Sequence, residues 1–459
     1  MDTQNNITEG VKNLLGEPKR AILKLSTPMI IAMLVNAFYN IADGFWVAGL
    51  GADALASVGL FFPFFFIIIA LGMGIGIGGS SAISRRIGAN DKKEADNTAE
   101  HTLILGFVVS VIISVSAFPF LEEIMKIFSG ENMKVAVMAI NYSKIFFLGT
   151  PILIFSNIAS SILRGEGDAK RAMYGILLGS ILNIILDPLF IYTFKLGVNG
   201  AAVASVLSMA VSSLLFVYWM FSKKDTYLDI SIQNFKYNRK ILGEILSVGI
   251  PSTLAQLSMS ISMIILNKIV VFVGNTDGIA VFTSGWRIVM IATTPILGLA
   301  TGVIAVTGAA YGAKNKEKLK TAYLYSIKFG ILLEILIALL VFLFTEEISH
   351  IFTYSKGAAR ISEDLISFLK ITTIFYLAVP PGILTSAMFR GIDKGFNSLI
   401  VTLIRPFVFQ IPLAYILGAY LDFGLTGVWW GIVGGNLIAT VFTFTWGLKT
   451  VNHIPFNTQ

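Results

Sequence analysis

The chain contains the segment GILLGSILNIILDP at residues 175–188. Spacings of four residues place its two glycines, Asn183 and Asp187 on one stripe of a helix, while the residues between them are apolar. A carboxylate in such a helix is disfavoured within lipid by at least about 2.5 kcal/mol, so Asp187 should face protein or a wet cavity. Pro188 removes a backbone donor, which loosens the helix beside this acid. The segment therefore predicts a membrane-spanning helix that carries a functional carboxylate.

The whole chain has the composition of an integral membrane protein. Of its 459 residues, 55% are hydrophobic and 13% are charged, about half of the charged fraction usual in a soluble domain, and the mean hydropathy is +0.78. Apolar runs long enough to cross about 30 Å of hydrocarbon recur along it. We predict twelve spans, near residues 20–46, 52–80, 97–120, 133–160, 170–194, 197–221, 241–273, 278–308, 319–344, 359–388, 396–420 and 424–448.

The termini and the cysteine content narrow the class further. The amino terminus has no short apolar core followed by a small-residue cleavage site, so we expect no removed signal peptide. Cysteine is absent, which excludes disulfides and cysteine-ligated metals. The three histidines are scattered, without the spacing of a metal site.

The net charge of +7 is distributed as in a membrane protein. Most Lys and Arg residues lie in the amino-terminal segment, in the loops after the even-numbered spans and at the carboxy-terminal end. This is the positive-inside pattern, which predicts a multi-pass protein of the cell membrane with both termini in the cytoplasm. We therefore expect no nucleic-acid partner.

The two halves of the sequence resemble each other. Pro28 aligns with Pro251 and Gly197 with Gly424, at an offset that drifts only from 223 to 227. Because each half holds an even number of spans, both halves have the same orientation. We predict an all-α integral membrane fold with twelve transmembrane helices in two six-helix lobes, related by a parallel pseudo-two-fold repeat. The predicted parts are a cytoplasmic amino-terminal segment (1–18), an N-lobe (19–221), a cytoplasmic linker (222–240), a C-lobe (241–449) and a carboxy-terminal tail (450–459).

A second intramembrane acid, Asp43, lies in the first predicted span. Asn36, Tyr39 and Asn40 precede it at spacings that place all four residues on one face of a helix. The first and fifth spans both run outward from basic cytoplasmic ends. Asp43 and Asp187 should therefore both lie beyond the middle of the membrane, where they could meet at one depth.

Two further polar residues, Tyr142 and Ser205, reach the same level from spans that enter at the outer face. Neither acid has an obligatory basic partner, and desolvation and a like-charged neighbour both favour a neutral carboxyl. The pair could therefore carry a proton; if both acids stay ionised, they and neighbouring oxygens, such as that of Asn183, could bind a small cation such as Na⁺. A purely structural role, with each acid hydrogen-bonded to Asn or Tyr, is the alternative.

The repeat acts as an internal control on these acids. Asp43 aligns with Leu266, and two of its face-mates align with Met259 and Met263. Because the scaffold is duplicated and the acids are not, we predict an ion-coupling site in the first lobe and a methionine-rich substrate wall in the second, although packing explains that wall equally well. The predicted substrate-cavity residues are Asn36, Gln256, Met259, Met263, Phe282 and Arg287.

Other features of the spans have structural interpretations. The glycine-rich stretch 72–79 lies in an apolar span, so it indicates close helix packing and not a phosphate loop, which must follow a strand.

Proline and glycine predict hinges at Pro28, Gly44 and Pro188. The remaining intramembrane charges either snorkel to the membrane surface, bond to backbone at kinks or line the cavity. They are Lys144, Glu244, Lys268, Arg287, Lys328, Glu334, Lys370 and Arg405.

Five motifs spread over nearly the whole chain carry a family resemblance. They are FYNIADG at 38–44, SSAISRRIGA at 80–89, ILRGEGD at 162–168, LNIILDP at 182–188 and VTGAAYG at 306–312. Together they are similar to the motifs of the multidrug and toxic compound extrusion (MATE) transporters, most closely those of the archaeal and DinF-like branch. The chain is identified on these motifs as a member of that family.

The resemblance implies two lobes around a V-shaped cavity and export of amphipathic, often cationic compounds in exchange for inward H⁺ or Na⁺. It implies no enzymatic activity and no cofactor, and we expect a monomer whose partners are small organic substrates and the bilayer. The branch's cation site carries over to Asp43, Asn183 and Asp187. The supporting positions are Tyr39, Asn40, Tyr142 and Ser205.

Three other functions compete with this interpretation. A flippase for lipid-linked saccharides has a related fold, and a cluster of Lys144, Arg287 and Arg405 around one cavity would favour it. A membrane-embedded enzyme that holds Mg²⁺ and pyrophosphate would want an Asp-rich motif in a surface loop, which the sequence lacks. A channel or passive scaffold would not need buried, unpaired acids.

Overall fold

The computed structural model describes residues 7–130, 132–223, 225–231, 235–354 and 358–456, and most of these residues are helical. The long segment Arg239–Gly312 is divided below into α8 (239–274) and α9 (276–312). The other helices are α1 (Glu9–Leu15), α2 (Pro18–Ala48), α3 (Ala52–Gly88), α4 (Lys92–Ser129), α5 (Met133–Gly165), α6 (Ala169–Thr193), α7 (Val198–Lys223), α10 (Lys316–Leu343), α11 (Thr345–Thr353), α12 (Ala359–Gly391), α13 (Gly395–Tyr420) and α14 (Gly424–Asn452).

The division at Asn275 follows from its backbone. Asn275 has φ 52° and ψ −146°, outside the helical region, where the small polar side chain of Asn is tolerated better than most. A straight helix of 74 residues would be about 110 Å long, more than three times the thickness of the hydrocarbon core. The segment is therefore two antiparallel spans joined by a tight reversal.

Twelve membrane-spanning helices result within the described residues, in agreement with the prediction. Eleven helical segments are long and apolar enough to cross a membrane, and the longest of them is the pair α8 and α9. Helices α2 to α7 form the first lobe, and α8 to α10 with α12 to α14 form the second. The two short helices, α1 and α11, lie outside this set of spans.

The predicted stripe on α6 faces α7. A Cβ atom at Gly175 would overlap the ring of Phe216, and one at Gly179 would lie 2.7 Å from Ser212 Oγ. The Ser212 hydroxyl donates to the carbonyl of Gly175 at 2.7 Å. The glycines therefore permit a close approach of the two backbones, which brings α7 next to the acid that follows on the same stripe.

The two lobes meet along a seam of four helices, α2, α3, α8 and α9. Gly78 of α3 lies against the carbonyl of Ile245 in α8, and Gly302 of α9 lies against Ser26 of α2; a Cβ atom at either glycine would overlap its neighbour. The glycine-rich stretch 72–79 therefore serves close helix packing, as predicted.

Charged side chains join the lobes at the end predicted to face the cytoplasm. Arg85 Nη2 lies 3.3 Å from Asp393 Oδ1 and 3.6 Å from Glu244 Oε2, and Arg86 Nη1 lies 3.0 Å from Glu244 Oε2. Both arginines belong to the first lobe and both carboxylates to the second. Each of these ion pairs therefore crosses the seam.

The opposite end of α2 is exposed on one side. The side chains of Ile22 and Met29 are buried, whereas Phe38 and Phe45 further along the helix are 64% and 69% exposed. No heavy atom of another described element lies within 4 Å of the position that a Cβ atom would take at Gly44. The other side of this half of α2 contacts α6, where the Tyr192 hydroxyl donates to the backbone oxygen of Trp46 at 2.6 Å. The outer half of α2 is therefore exposed on one side and packed on the other.

The chain between the lobes is bonded to the first lobe. Its backbone N–H at Leu228 donates to Glu166 Oε2 at 3.1 Å, and the N–H of Ser231 donates to Glu100 Oε1 at 2.9 Å. Glu166 lies in the loop between α5 and α6, where burial raises the pKa of its carboxyl to about 8. The predicted linker is thus anchored in its described middle part and does not behave as a free tether.

Replacement of Gly175 by Leu should lower the free energy of unfolding, because the ring of Phe216 occupies the space that the new side chain needs. Overpacking of this kind costs about 1–3 kcal/mol. We expect a lower midpoint of thermal unfolding for the purified protein in detergent. Gly243→Leu is the matched control, since no other element lies within 4 Å of a Cβ atom at this helical glycine. Equal stability of the two variants would contradict the close approach of α6 and α7.

Candidate functional site

Asp187 lies at the point where α6 stops being a regular α-helix. Its side chain is fully buried, Pro188 follows it, and the helix widens into a π-helical turn over Leu189–Thr193. Proline lacks the backbone N–H that would continue the α-helical pattern. The acid is therefore held beside the irregular backbone that the sequence predicts.

Asn183 connects this acid to α7. The orientation of its buried amide follows from the hydrogen bonds available: the nitrogen donates to Asp187 Oδ2 at 2.8 Å, and the oxygen accepts from Ser205 Oγ at 3.0 Å and from the Ser205 backbone N–H at 3.2 Å. One oxygen of Asp187 thus has a fixed donor. The four-residue stripe is what places the amide one turn before the carboxylate.

Asp43 of α2 meets Asp187 across the lobe. The two carboxyl groups approach to hydrogen-bonding range. Two ionised carboxylates are both acceptors, so this contact needs a proton on one of them or a cation between them. Asp187 Oδ1 has no protein donor in the described part of the chain. The pair therefore has the chemistry to bind one proton or one small cation.

Two tyrosines complete the surroundings of the carboxyl pair. The Tyr39 hydroxyl lies in hydrogen-bonding range of the Ser205 side chain and in electrostatic range of both acids. Tyr142 lies in electrostatic range of the same acids, and its ring packs edge-on against Phe61 with a centroid distance of 5.5 Å. Helices α2, α5, α6 and α7 thus all contribute, and all belong to the first lobe.

Asn40 was predicted to support the coupling site, but its side chain lies away from the carboxyl pair. It is exposed, and its amide nitrogen donates to the backbone oxygen of Asn36 at 2.7 Å on the same helix. Because the amide is turned along its own helix, it makes no contact with the carboxyl pair in this state.

Three of the predicted cavity residues lie together on α8. Arg405 Nη2 lies 3.5 Å from Met259 Sδ, and Gln256 Nε2 lies 4.0 Å from Met73 Sδ across the seam. Met263 follows one turn after Met259 and is partly buried. This face of α8 thus combines polarisable sulfur with one guanidinium group, and Met73 adds a residue that the sequence analysis did not select.

Phe282 does not line a cavity in this structure. It is fully buried and stacks on Trp429 with a centroid distance of 5.7 Å and an interplanar angle of 4°, while Phe368 meets it edge-on. An aromatic residue in an apolar span can face lipid, cavity or core, and here packing in the second lobe takes the ring. Arg287, by contrast, is exposed on α9.

The predicted hinges Pro28 and Gly44 both lie inside α2, which remains an unbroken α-helix at both residues. Pro188 is the hinge candidate at which the helix geometry changes. In the described residues no group of three or more His, Cys, Asp or Glu side chains is arranged to hold a metal ion.

Sequence reasoning missed the ion pairs that cross the seam. Glu244, predicted as an intramembrane charge, pairs with Arg86, and Asp393, from a loop of the same second lobe, pairs with Arg85. Only the fold brings these loops together. Lys144, a candidate for a cationic cavity, instead pairs with Glu122 at 2.7 Å.

Two homologous six-helix lobes and a pair of interacting carboxyl groups within one of them define a membrane transporter. The MatE family model matches residues 28–189 and, a second time, 251–416. The chain therefore belongs to the MatE family. The two matches begin at Pro28 and Pro251, which confirms the internal repeat that the alignment of the halves predicts.

Characterised relatives agree with this membership. Multidrug export protein MepA of Staphylococcus aureus is 28% identical over 415 residues, which covers 90% of each chain. The outward-facing structure of a multidrug resistance MATE transporter of the MOP superfamily is 50% identical, with a TM-score of 0.94 over 97% of this chain and 98% of the other. A MOP superfamily transporter from Pyrococcus furiosus is also 50% identical, with a TM-score of 0.93 over the same shares.

Removal of both acids, Asp43→Asn with Asp187→Asn, should abolish one ion-binding site. We expect the purified double variant to take up about one proton fewer per molecule than wild type when the pH is lowered from about 9 to about 5. Asp53→Asn removes an exposed carboxylate that pairs with Lys134 and serves as the control. If proton uptake were unchanged, proton binding would be excluded; heat of Na⁺ binding that is lost in the same variant would assign Na⁺ to the site.

Proposed function

We propose that this protein is a secondary-active exporter that moves amphipathic, often cationic small molecules out of the cell by antiport with H⁺ or Na⁺. The observation that carries the proposal is the meeting of Asp43 and Asp187, two acids on different helices within the membrane interior. The multidrug export and multidrug resistance functions given for the relatives support it.

The proposal assigns a role to each group of residues. The ion is bound by Asp43, Asn183 and Asp187, and the exporter acts as a monomer in the cell membrane, with cytoplasmic termini, without a cofactor and without enzymatic chemistry. The supporting coupling residues are Tyr39, Tyr142 and Ser205. The substrate wall consists of Asn36, Gln256, Met259, Met263 and Arg287. The hinges are Pro28, Gly44 and Pro188.

Ion binding drives the cycle through a difference between two states. With the cytoplasmic end of the seam closed and one side of the outer part of α2 exposed, a proton or Na⁺ reaches the carboxyl pair from outside and neutralises it. The neutral pair allows α2 to repack at its hinges, which releases substrate outward. The ion must bind one state more tightly than the other, because a ligand of equal affinity shifts no equilibrium.

A flippase for lipid-linked saccharides is the second candidate. The relative from Pyrococcus furiosus is described as having a binding pocket of reverse polarity that suggests a different function. In this chain the position of Arg405 against Met259 is compatible with an anionic head group. The pairing of Lys144 with Glu122 works against it, because it removes one cation from the expected cluster.

Transport of a fluorescent organic cation in proteoliposomes tests the exporter. We expect efflux under an imposed pH gradient or under a sodium gradient, and a reduction of at least about tenfold in Asp187→Asn, because the variant cannot exchange the coupling ion. The gradient that drives efflux names the ion.

Asp53→Asn, at an exposed ion pair, is the control for the loss of an acid and should transport as wild type does. Efflux under neither gradient, or full activity of Asp187→Asn, would overturn the proposal. Translocation of a fluorescent saccharide-linked lipid in the same vesicles would then favour the flippase.

A disulfide across the seam should stop transport reversibly. The Cβ atom of Ser84 in α3 lies 3.4 Å from the position of a Cβ atom at Gly308 in α9, close to the separation found in disulfides. The protein has no cysteine of its own, so Ser84→Cys with Gly308→Cys introduces a single defined pair. Oxidation should abolish efflux, and reduction should restore it.

The matched control is a pair within the first lobe. Ser212 Cβ lies 3.7 Å from the Cβ position at Gly179, so Gly179→Cys with Ser212→Cys should form its disulfide without loss of transport. Full transport by the oxidised seam pair would show that the lobes need not separate there, which contradicts alternating access at this seam.

A further inference from the structure

The second lobe buries one carboxyl group for which the proposed function has no use. Glu334 lies in the middle of α10 and is fully buried. Neither of its carboxylate oxygens has a hydrogen-bond partner among the described residues. A buried carboxylate that is neither paired nor hydrogen-bonded is so costly that such a group normally becomes neutral or binds a ligand.

Contacts near the cytoplasmic end set the register of the helices around Glu334. The Tyr323 hydroxyl of α10 lies 2.8 Å from Thr385 Oγ1 of α12, and a Cβ atom at Gly447 of α14 would touch the same hydroxyl. By sequence and span count, α12 and α14 run antiparallel to α10. Glu334 lies about 16 Å further along α10 than Tyr323, at 1.5 Å per residue.

Two polar residues lie at a matching height on the neighbouring helices. Tyr376 of α12 and Asn436 of α14 are both fully buried. Asn436 Oδ1 also lacks a hydrogen-bond partner in the described part of the chain, and the Tyr376 hydroxyl has the Thr372 side chain, one turn earlier on α12, in hydrogen-bonding range. The Asn436 amide nitrogen donates to the backbone oxygen of Phe375 at 3.4 Å. Tyr376 lies in electrostatic range of Glu334. Three helices thus direct buried polar side chains to one level of the lobe.

No cation compensates this carboxyl. Among the described residues, neither oxygen of Glu334 has a basic side chain as a hydrogen-bond partner. Of the basic residues on α10 and on the helices packed against it, Lys24 of α2, Arg287 of α9, Lys328 of α10, Lys370 of α12 and Lys449 of α14 are exposed. The partly buried ones lie near the cytoplasmic ends: Lys320 is about 21 Å from Glu334 along α10 and is nearer than Lys316 and Lys318, and Arg390 donates to the carbonyl of Ser386 in the last turns of α12. The acidic residues Glu363 and Asp364 of α12 are exposed as well. The missing partner is therefore neither a basic residue nor a second acid.

We propose that Glu334 is a second proton-binding residue of this protein, located in the second lobe and separate from the carboxyl pair of the first. A proton is the smallest ligand that neutralises the carboxyl, and it supplies the donor that the neighbouring amide oxygen lacks. Glu334 holds the proton as a neutral acid in the interior of the lobe and exchanges it with the solvent as the pH changes. This site exists whether or not the first-lobe pair drives export.

Infrared difference spectroscopy of the reconstituted protein tests the proposal directly. Between about pH 9 and about pH 5, the range in which buried glutamates titrate, wild type should gain the C=O stretch of a protonated carboxylic acid. That band should be missing in Glu334→Gln and retained when Asp43 and Asp187 are both replaced by Asn. The band is read without transport, so failure of the exporter proposal would leave it unchanged.

Two further variants keep the test decisive. Glu334→Asp retains an acid and should keep the band at a shifted frequency even if the Gln variant fails to fold. Glu363→Gln removes an exposed acid of α12 and should leave the band unaltered. A band that persists in Glu334→Gln would overturn the proposal, because the band would then come from another acid. A band that does not respond to pH in wild type would also overturn it, because Glu334 would then be permanently neutral. A band that Na⁺ suppresses at constant pH would replace the proton by a sodium ion and would likewise overturn it.

Discussion

The need to compensate a carboxylate in hydrocarbon is the constraint on which the first lobe depends. Asp187 is fully buried, and an uncompensated charge there would cost several kcal/mol. Its compensation requires Asn183 one turn earlier and Ser205 on α7. That in turn requires α6 and α7 to approach closely, which the glycines of the stripe allow. The need to compensate one buried charge thus accounts for the four-residue spacing on α6, for the close packing of α6 on α7 and for the capacity of the site to bind an ion.

The seam between the lobes is built from interactions that can be broken without unfolding either lobe. Its backbone contacts rest on small residues such as Gly78, and its ion pairs, such as Arg86 with Glu244, lie at the edge of the membrane. These ion pairs are largely buried, with Arg86 11% and Glu244 24% exposed, so both partners pay a desolvation cost that is recovered when the lobes part and water hydrates them. The interior of the second lobe, where Phe282 stacks on Trp429, instead holds large apolar rings that resist separation. The lobes are therefore expected to move as units.

The sequence predicts correctly those features that depend only on the helical repeat or on the depth of a residue in the membrane. Span positions follow from hydropathy, and the meeting of Asp43 with Asp187 follows from helix direction and distance along each helix. Sequence reasoning failed where the direction of a side chain depends on partners far away in the sequence. Phe282 was expected at a cavity and lies in the core, because an aromatic ring in an apolar span gives no sign of which surface it faces. Asn40 shares a face with Asp43, yet its amide bonds along its own helix.

The two lobes share one scaffold but hold their acids on different helices. The offset that aligns Gly88 with Gly312 places Glu334 opposite Ser110 of α4. The Ser110 hydroxyl satisfies itself by donating to the carbonyl of Phe107 on its own helix at 2.7 Å. A hydroxyl at this position therefore needs no ligand, whereas a carboxyl, which has no donor when ionised, does. One scaffold thus tolerates an acid at more than one helix, provided that each acid meets either polar neighbours or a bound ion at its own level.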